Sequence, residues 1–285
     1  MVTVDKNFSS ILSGKIEDYP DGIVFIVDKP YRWTSADVIR KIKFAACRHF
    51  GKKNLKVGHA GTLDPLATGV LTVCIGNACK KAQALQDSDK QYVAGVCFGA
   101  STPSFDREKD IDRRGRTEGV NAESLKAVLP RFAGEQDQVA PLFSAKQIDG
   151  RRAYEIARAM LKEGKPLDEK AREVISVSRI RITGLELLDF GSTPLCAEDS
   201  AQEEGASSRI NIAPVPGGLP LATLRVDCSK GTYIRALARD LGEAMGSCAF
   251  LYSLKRTASG GFRSDDALDV EAALSVLRSE RDSRL

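Results

Sequence analysis

The stretch Gly58-His59-Ala60-Gly61-Thr62-Leu63-Asp64-Pro65-Leu66-Ala67-Thr68-Gly69-Val70-Leu71 sets one carboxylate among small residues and glycines. It closes a segment, between Asp37 and Asp64, that holds seven Lys or Arg and no acidic residue. Such a field attracts a polyanion, and Gly58, Gly61 and Gly69 let a bulky group approach the backbone closely. A basic approach to one carboxylate points to chemistry on nucleic acid. Two plainer readings stand beside it. Asp64 before Pro65 also suits the N-cap of a short helix that Gly69 stops, and a stripe of cations is ordinarily a solvated face.

Upstream, Gly22-Ile23-Val24-Phe25-Ile26-Val27-Asp28, closed by Lys29-Pro30, reads as a strand buried on both faces. Thr34 or Ser35 then caps a helix with Val38, Ile39, Ile42, Ala45 and Ala46 at helical spacing and Arg40, Lys41, Lys43 and Arg48 opposite. Downstream, strands are expected at Val70 to Ile75, Tyr92 to Phe98, Val174 to Ile182, Leu185 to Phe190 and Leu221 to Cys228. Residues 101–119 read as a polar, charged loop and Asn121 to Leu129 as a helix. A second helix, capped by Thr232 and ended by Gly246, carries Ile234, Leu237, Ala238 and Leu241 on one face, with Arg235 and Arg239 off it. Acidic residues followed by Pro214-Val215-Pro216-Gly217-Gly218 make 197–218 a flexible excursion. The fold class is mixed α/β.

At 285 residues and 42% apolar, the chain can bury a sizeable core, and its net charge of +4 matters through placement and not sum. Seven cysteines, without a C-x-x-C pair and with only His49 and His59 to assist them, argue against a disulfide framework or a zinc site. Neither a membrane-spanning run nor a signal peptide is evident, so a cytoplasmic protein is expected. The P-loop and Rossmann fingerprints are absent, and neither cofactor nor metal is expected.

The Gly58 to Gly69 segment closely resembles the signature of TruB-type tRNA pseudouridine synthases. The resemblance runs from Gly22-Ile23-Val24-Phe25-Ile26-Val27-Asp28-Lys29-Pro30, through Asp89-Lys90-Gln91-Tyr92 and Cys228-Ser229-Lys230-Gly231-Thr232-Tyr233-Ile234-Arg235, to Leu254-Lys255-Arg256. It implies a pseudouridine synthase fold, with a central, mostly antiparallel sheet flanked by helices. It also implies a catalytic domain over 21–265, after an N-terminal extension (1–20) and before a C-terminal helix or tail (266–285) without a full RNA-binding PUA domain. By position, Asp64 is then the nucleophile and Arg235 its ion-pair partner. Tyr92 would pack on the uracil, with Tyr233 and Leu254 enclosing the ring. His59 would engage the RNA where the flipped nucleotide departs, and Lys80 would support the site or a phosphate. Seen singly, the tyrosines and Leu254 read equally as core, and Arg235 as a surface charge.

The reaction joins C5 of the base to the sugar carbon that N1 leaves, so no atoms enter or depart. The implied substrate is uridine-55 in the T-loop of tRNA, flipped out of the folded RNA. Residues 140–170, including Pro141-Leu142-Phe143-Ser144-Ala145-Lys146 and Gly150-Arg151-Arg152-Ala153-Tyr154, resemble the family's insertion that closes over the T-arm. Ala140 stands where the family pattern leads one to expect a proline. A monomer needing no protein partner is expected. The rival readings are a guide-RNA-dependent relative and a tRNA-folding helper without chemistry.

Overall fold

The structure, a computed structural model, describes residues 1–141, 143, 147–148, 151–152, 177–195 and 210–278. The chain forms two compact units, residues 1–91, 201–210 and 255–285, and residues 92–200 and 211–254.

The first unit is built on β1 (Val2–Val4), β2 (Ile23–Lys29), α1 (Ser35–His49), β3 (Val57–Ala60), β4 (Ala67–Ile75) and α2 (Ala82–Gln86). β2 runs parallel to β1 and antiparallel to β4, which also pairs with β3. The apolar run in β2 is buried on both faces, as expected. Ile23, Phe25 and Val27 enter the core beneath α1, whereas Val24 and Ile26 pack with Cys74, Ala78 and Ala267. Thr34 caps α1 with a full capping box: its side chain accepts from Asp37 N, and Asp37 accepts from Thr34 N. Val38, Ile42 and Ala46 of α1 are buried, and Val4 and Leu12 of the N-terminal extension join the same core.

The expected helix after Asp64 is absent. Pro65 and Leu66 form a turn, closed by Ala67 N donating to Asp64 O at 3.1 Å, and β4 starts at once. Too few residues separate Asp64 from Gly69 to repay helix nucleation, and the β2 ladder claims them from Gly69 on.

The chain passes into the second unit along β5 (Lys90–Phe98). There follow β6 (Ala100–Ser101), β7 (Arg113–Arg114), α3 (Ala122–Val128), β8 (Gly134–Val139), β9 (Gln147–Ile148), β10 (Arg151–Arg152), β11 (Val177–Ser192), β12 (Pro220–Cys228) and α4 (Ile234–Ala244). β11 lies between β12 and β8, antiparallel to both. Asn121 caps α3 as its sequence suggests. β13 (Ala249–Ser259) returns the chain to the first unit, where β14 (Phe262–Arg263) and α5 (Val270–Val276) complete it.

Four expectations are corrected here. The two strands split at Thr183 are one, β11, because register shifts at Ile182/Gly184 and Leu187/Asp189 absorb the break in alternation. The 101–119 loop is not merely solvated: Ser101, Thr102, Ser104, Asp106 and Arg107 are buried, and β6 pairs with β7. Residues 210–218 are packed. Ala213 N donates to Arg107 O at 2.7 Å, and Thr193 Oγ1 donates to Pro216 O at 2.7 Å; residues 197–209 lie outside the described ones. Finally, Tyr233 and not Thr232 occupies the N-cap of α4, since the Thr232 hydroxyl turns back to donate to Ser229 O.

Gly69 sits at φ +99°, and a Cβ there would lie 2.2 Å from the Arg256 carbonyl oxygen. Gly69→Ala should therefore cost roughly 2–4 kcal/mol, combining a left-handed backbone with a backbone collision. Urea denaturation checks this; a loss below about 0.5 kcal/mol, the size of an ordinary surface change, would contradict it.

Candidate active site

Asp64 is half-buried, in a turn whose backbone is clamped by four side chains remote in sequence. Lys29, with no exposed surface, directs Nζ at the carbonyls of Trp33 (2.6 Å), Pro30 (2.8 Å) and Pro65 (3.1 Å). The Ser35 hydroxyl, in the first turn of α1, both donates to Leu63 O and accepts from Leu63 N, each at 3.0 Å. Arg256, also fully buried, donates from Nε to Val70 O at 2.8 Å and from Nη2 to Gly61 O at 3.0 Å. Gly69 N donates to Asp28 Oδ1 at 2.9 Å and closes the far end. Residues 61–69 are thus held at both ends and on both sides of Asp64. Pre-organisation of this kind positions a reacting side chain at little entropic cost when substrate arrives.

His59 stands on β3, opposite Val73 of β4. Burial, aided by the nearby Arg256 charge, lowers its pKa below the usual 6.5, so the ring is neutral near pH 7. Its Nδ1 is buried without a hydrogen-bond partner. Lys80 is exposed, near the end of the 3₁₀ turn Gly76–Lys81.

The other predicted site residues belong to the second unit. Tyr92 is buried near the start of β5, and Leu254 is half-buried on β13. Tyr233 is half-buried at the head of α4, where Gln138 grips its backbone: Tyr233 N donates to Gln138 Oε1 (2.8 Å) and Gln138 Nε2 donates to Tyr233 O (3.1 Å). Arg235 is 6% exposed, which removes the surface-charge reading. Its Nε lies 3.6 Å from Asp106 Oδ2, while Nη1 and Nη2 donate to the carbonyls of Ser104 and Phe143, each at 3.0 Å. Asp106 is fixed in turn, its Oδ1 accepting from Ser104 Oγ (2.6 Å) and Glu108 N (2.9 Å). A buried guanidinium this fully bonded has one orientation. Arg239 is buried too, donating to Asp240 Oδ1 (2.7 Å) and Val139 O (3.1 Å).

Lys29, Ser35, Arg256 and Asp106 escape a reading by sequence alone. Lys29 and Arg256 carried the only signal, as members of the segments that resemble the family. Among the described cysteines all are free, and burial pushes Cys74 and Cys97 up to about 12, the protonated, inert form. No group of three or more metal-ligating side chains occurs among the described residues.

With this geometry in place, comparison with known proteins is decisive. A family model described as TruB family pseudouridylate synthase, N-terminal domain, matches residues 48–199. The chain belongs to the TruB family of pseudouridylate synthases. The tRNA pseudouridine synthase B of Phocaeicola vulgatus is 42% identical over 255 residues, covering 90% of this chain and 93% of that one. That of Thermus thermophilus is 39% identical over 264 residues, covering 90% and 78%. Among solved structures, a Cbf5-Nop10-Gar1 complex contains a chain superposing with a TM-score of 0.57 at 25% identity. The match covers 91% of the present chain but only 56% of that one. The pseudouridine synthase fold expected from the TruB-like motifs is therefore present.

Two outcomes follow from the clamp. Lys29→Met, by stranding three carbonyls, should destabilise the protein by roughly 3 kcal/mol in denaturant titration. The His59 ring should titrate with a midpoint below 6.5 in ¹H–¹⁵N NMR. Because the unfolded chain binds that proton first as pH falls, its contribution to stability is present above the unfolded value and is lost as pH drops through the folded one. A midpoint at or above 6.5 would refute the burial argument.

Proposed function

We propose that this member of the TruB family converts uridine-55 in the T-loop of tRNA to pseudouridine. The observation that carries the reading is the 42% identity to a tRNA pseudouridine synthase B across nearly the whole of both chains. In this reading Asp64 is the nucleophile, attacking base or sugar or assisting elimination as the glycosidic bond breaks. Arg235 is its ion-pair partner, and the rigid bonding of Arg235 to Asp106 and two carbonyls supports such a role: a guanidinium already fixed loses little entropy when it orients a carboxylate. Tyr92 packs on the uracil, Tyr233 and Leu254 enclose it, and a base removes the C5 proton after the ring has turned.

Flipping the target nucleotide out of folded RNA costs a few kcal/mol, offset by stacking and by phosphate contacts. A neutral imidazole suits the space a flipped base leaves, which supports His59 in that position; Lys80, exposed and cationic, suits a phosphate. The enzyme works as a cytoplasmic monomer without a protein partner; no described helix is long and apolar enough to cross a membrane. Residues 142, 144–146, 149–150 and 153–176 lie outside the described ones, so the T-arm contact of 140–170 rests on the resemblance. A guide-dependent relative is less well supported, since the Cbf5 chain shares only 25% identity.

Asp64→Asn separates enzyme from folding helper. Tritium release from C5-labelled uridine in tRNA should fall by about three orders of magnitude or more, the range for losing a nucleophile, with tRNA binding retained. A wild-type protein that binds tRNA and releases no tritium would leave the helper.

A further inference from the structure

Along the exposed side of α1 lies an open groove of about 840 Å³, shared with the end of α5. Arg40, Lys41 and Arg48 from α1 and Arg278 from beyond α5 line it as cations, and Phe44 and Leu277 are among its apolar residues. Among the described residues no acidic side chain lines it. Phe44 is 65% exposed on a helix whose opposite face is fully committed to the core, whereas Leu277 is buried. The Arg48 guanidinium carbon lies 5.8 Å from the Phe44 ring centroid, and Lys41 Nζ lies 4.7 Å from that of Trp33.

A lone exposed phenylalanine is ordinary on a protein surface. Here, though, the exposed ring shares one groove with four cations, Arg48 lying over it, which is the composition of a single-strand nucleic-acid platform: an aromatic for a base and charges for the phosphates on either side. Arg40 pairs with Asp37 at 2.9 Å and Arg278 with Glu271 at 3.5 Å. Both pairs are exposed, so each is weak enough for a phosphate to compete. A groove whose described charges are all of one sign favours a polyanion as its occupant. The position is also informative. Ser35, at the head of α1, bonds Leu63 beside Asp64, and Arg48 lies 13 residues further along the same helix, about 20 Å at its axial rise.

We propose that this groove is a second RNA subsite, which takes an unpaired nucleotide on Phe44 and its flanking phosphates on Arg48, Lys41, Arg40 and Arg278. It rests on the reading of the chain as acting on RNA, and extends that contact from the Asp64 turn along α1 onto α5. The base is read by its face and not its edge, so the subsite tolerates any sequence.

The test measures binding of a fluorescein-labelled, unmodified tRNA transcript by anisotropy over a series of salt concentrations. Phe44→Ala should weaken binding about tenfold, within the range for one lost base stack, with the salt dependence kept. Arg48→Gln should lower the salt slope by about one phosphate contact. Lys43→Gln, on the same helix but outside the groove, should lose less than either. All three positions are exposed, and circular dichroism melts confirm that each variant is folded. Wild-type affinity in both groove variants, or equal losses in all three, would overturn the subsite while leaving the enzyme reading intact. Failure of the wild-type protein to bind the transcript would instead defeat that reading. Binding to phosphatidylserine vesicles, or Phe44-dependent self-association in sedimentation, with tRNA affinity unchanged by Phe44→Ala, would assign the groove to a membrane surface or a second copy.

Discussion

The turn that carries Asp64 is shaped by cations that have no business with solvent. Lys29 and Arg256 are buried completely and bond main-chain oxygens of the surrounding loops and strands. Burying a charge without such bonds costs several kcal/mol, so the fold tolerates them only where carbonyls converge. That requirement works in both directions. The carbonyls of Gly61, Pro65 and Val70 must face inward to satisfy the two cations, and once they do, the turn between them has little freedom left. Two positive charges are thereby carried close to the backbone around one carboxylate.

The second unit solves a related problem by a different route. α4 buries Arg235 and Arg239 alongside its apolar residues; the polar segment after β6 supplies Ser104 and Asp106 to Arg235, while Arg239 bonds Asp240 and the Val139 carbonyl. Asp106, with its own hydroxyl and amide donors, converts a stretch of loop into a rigid socket for Arg235, and Gln138 fixes the main chain of Tyr233 one turn away. Both units therefore present the side chains of the proposed reaction from backbones pinned by buried polar bonds. In the proposed reading, an isomerisation that needs no imported atoms relies on placing one carboxylate, one arginine and an aromatic enclosure correctly.

Short-range signals were legible. The uninterrupted apolar run of β2, a cap at Thr34 or Ser35, the helical spacing of Val38, Ile42 and Ala46, and the helix from Asn121 all depend on residues within a few positions of one another. The same holds for the Gly58 to Gly69 motif, whose order of residues is enough to reveal the family. Errors fell where a local rule met a distant partner. Asp-Pro suggested a helix, yet pairing with β2 drew the chain into a strand. The 101–119 segment reads as a polar, charged loop because its adjacent acids and bases show no apolar pattern, whereas Arg235, which it binds, lies 131 residues from the Ser104 carbonyl.

By itself, then, the amino-acid order determined the identity of the nucleophile candidate, the family and the local elements that frame it, because these are written in adjacent residues. Tertiary structure alone decided that Lys29, Arg235 and Arg256 are buried and what they hold. Residues 36 and 195 positions apart meet at the Asp64 turn, Lys29 with Pro65 and Arg256 with Gly61. A buried charge is tolerable only where such partners converge, and convergence is a property of the folded chain and not of any window along it.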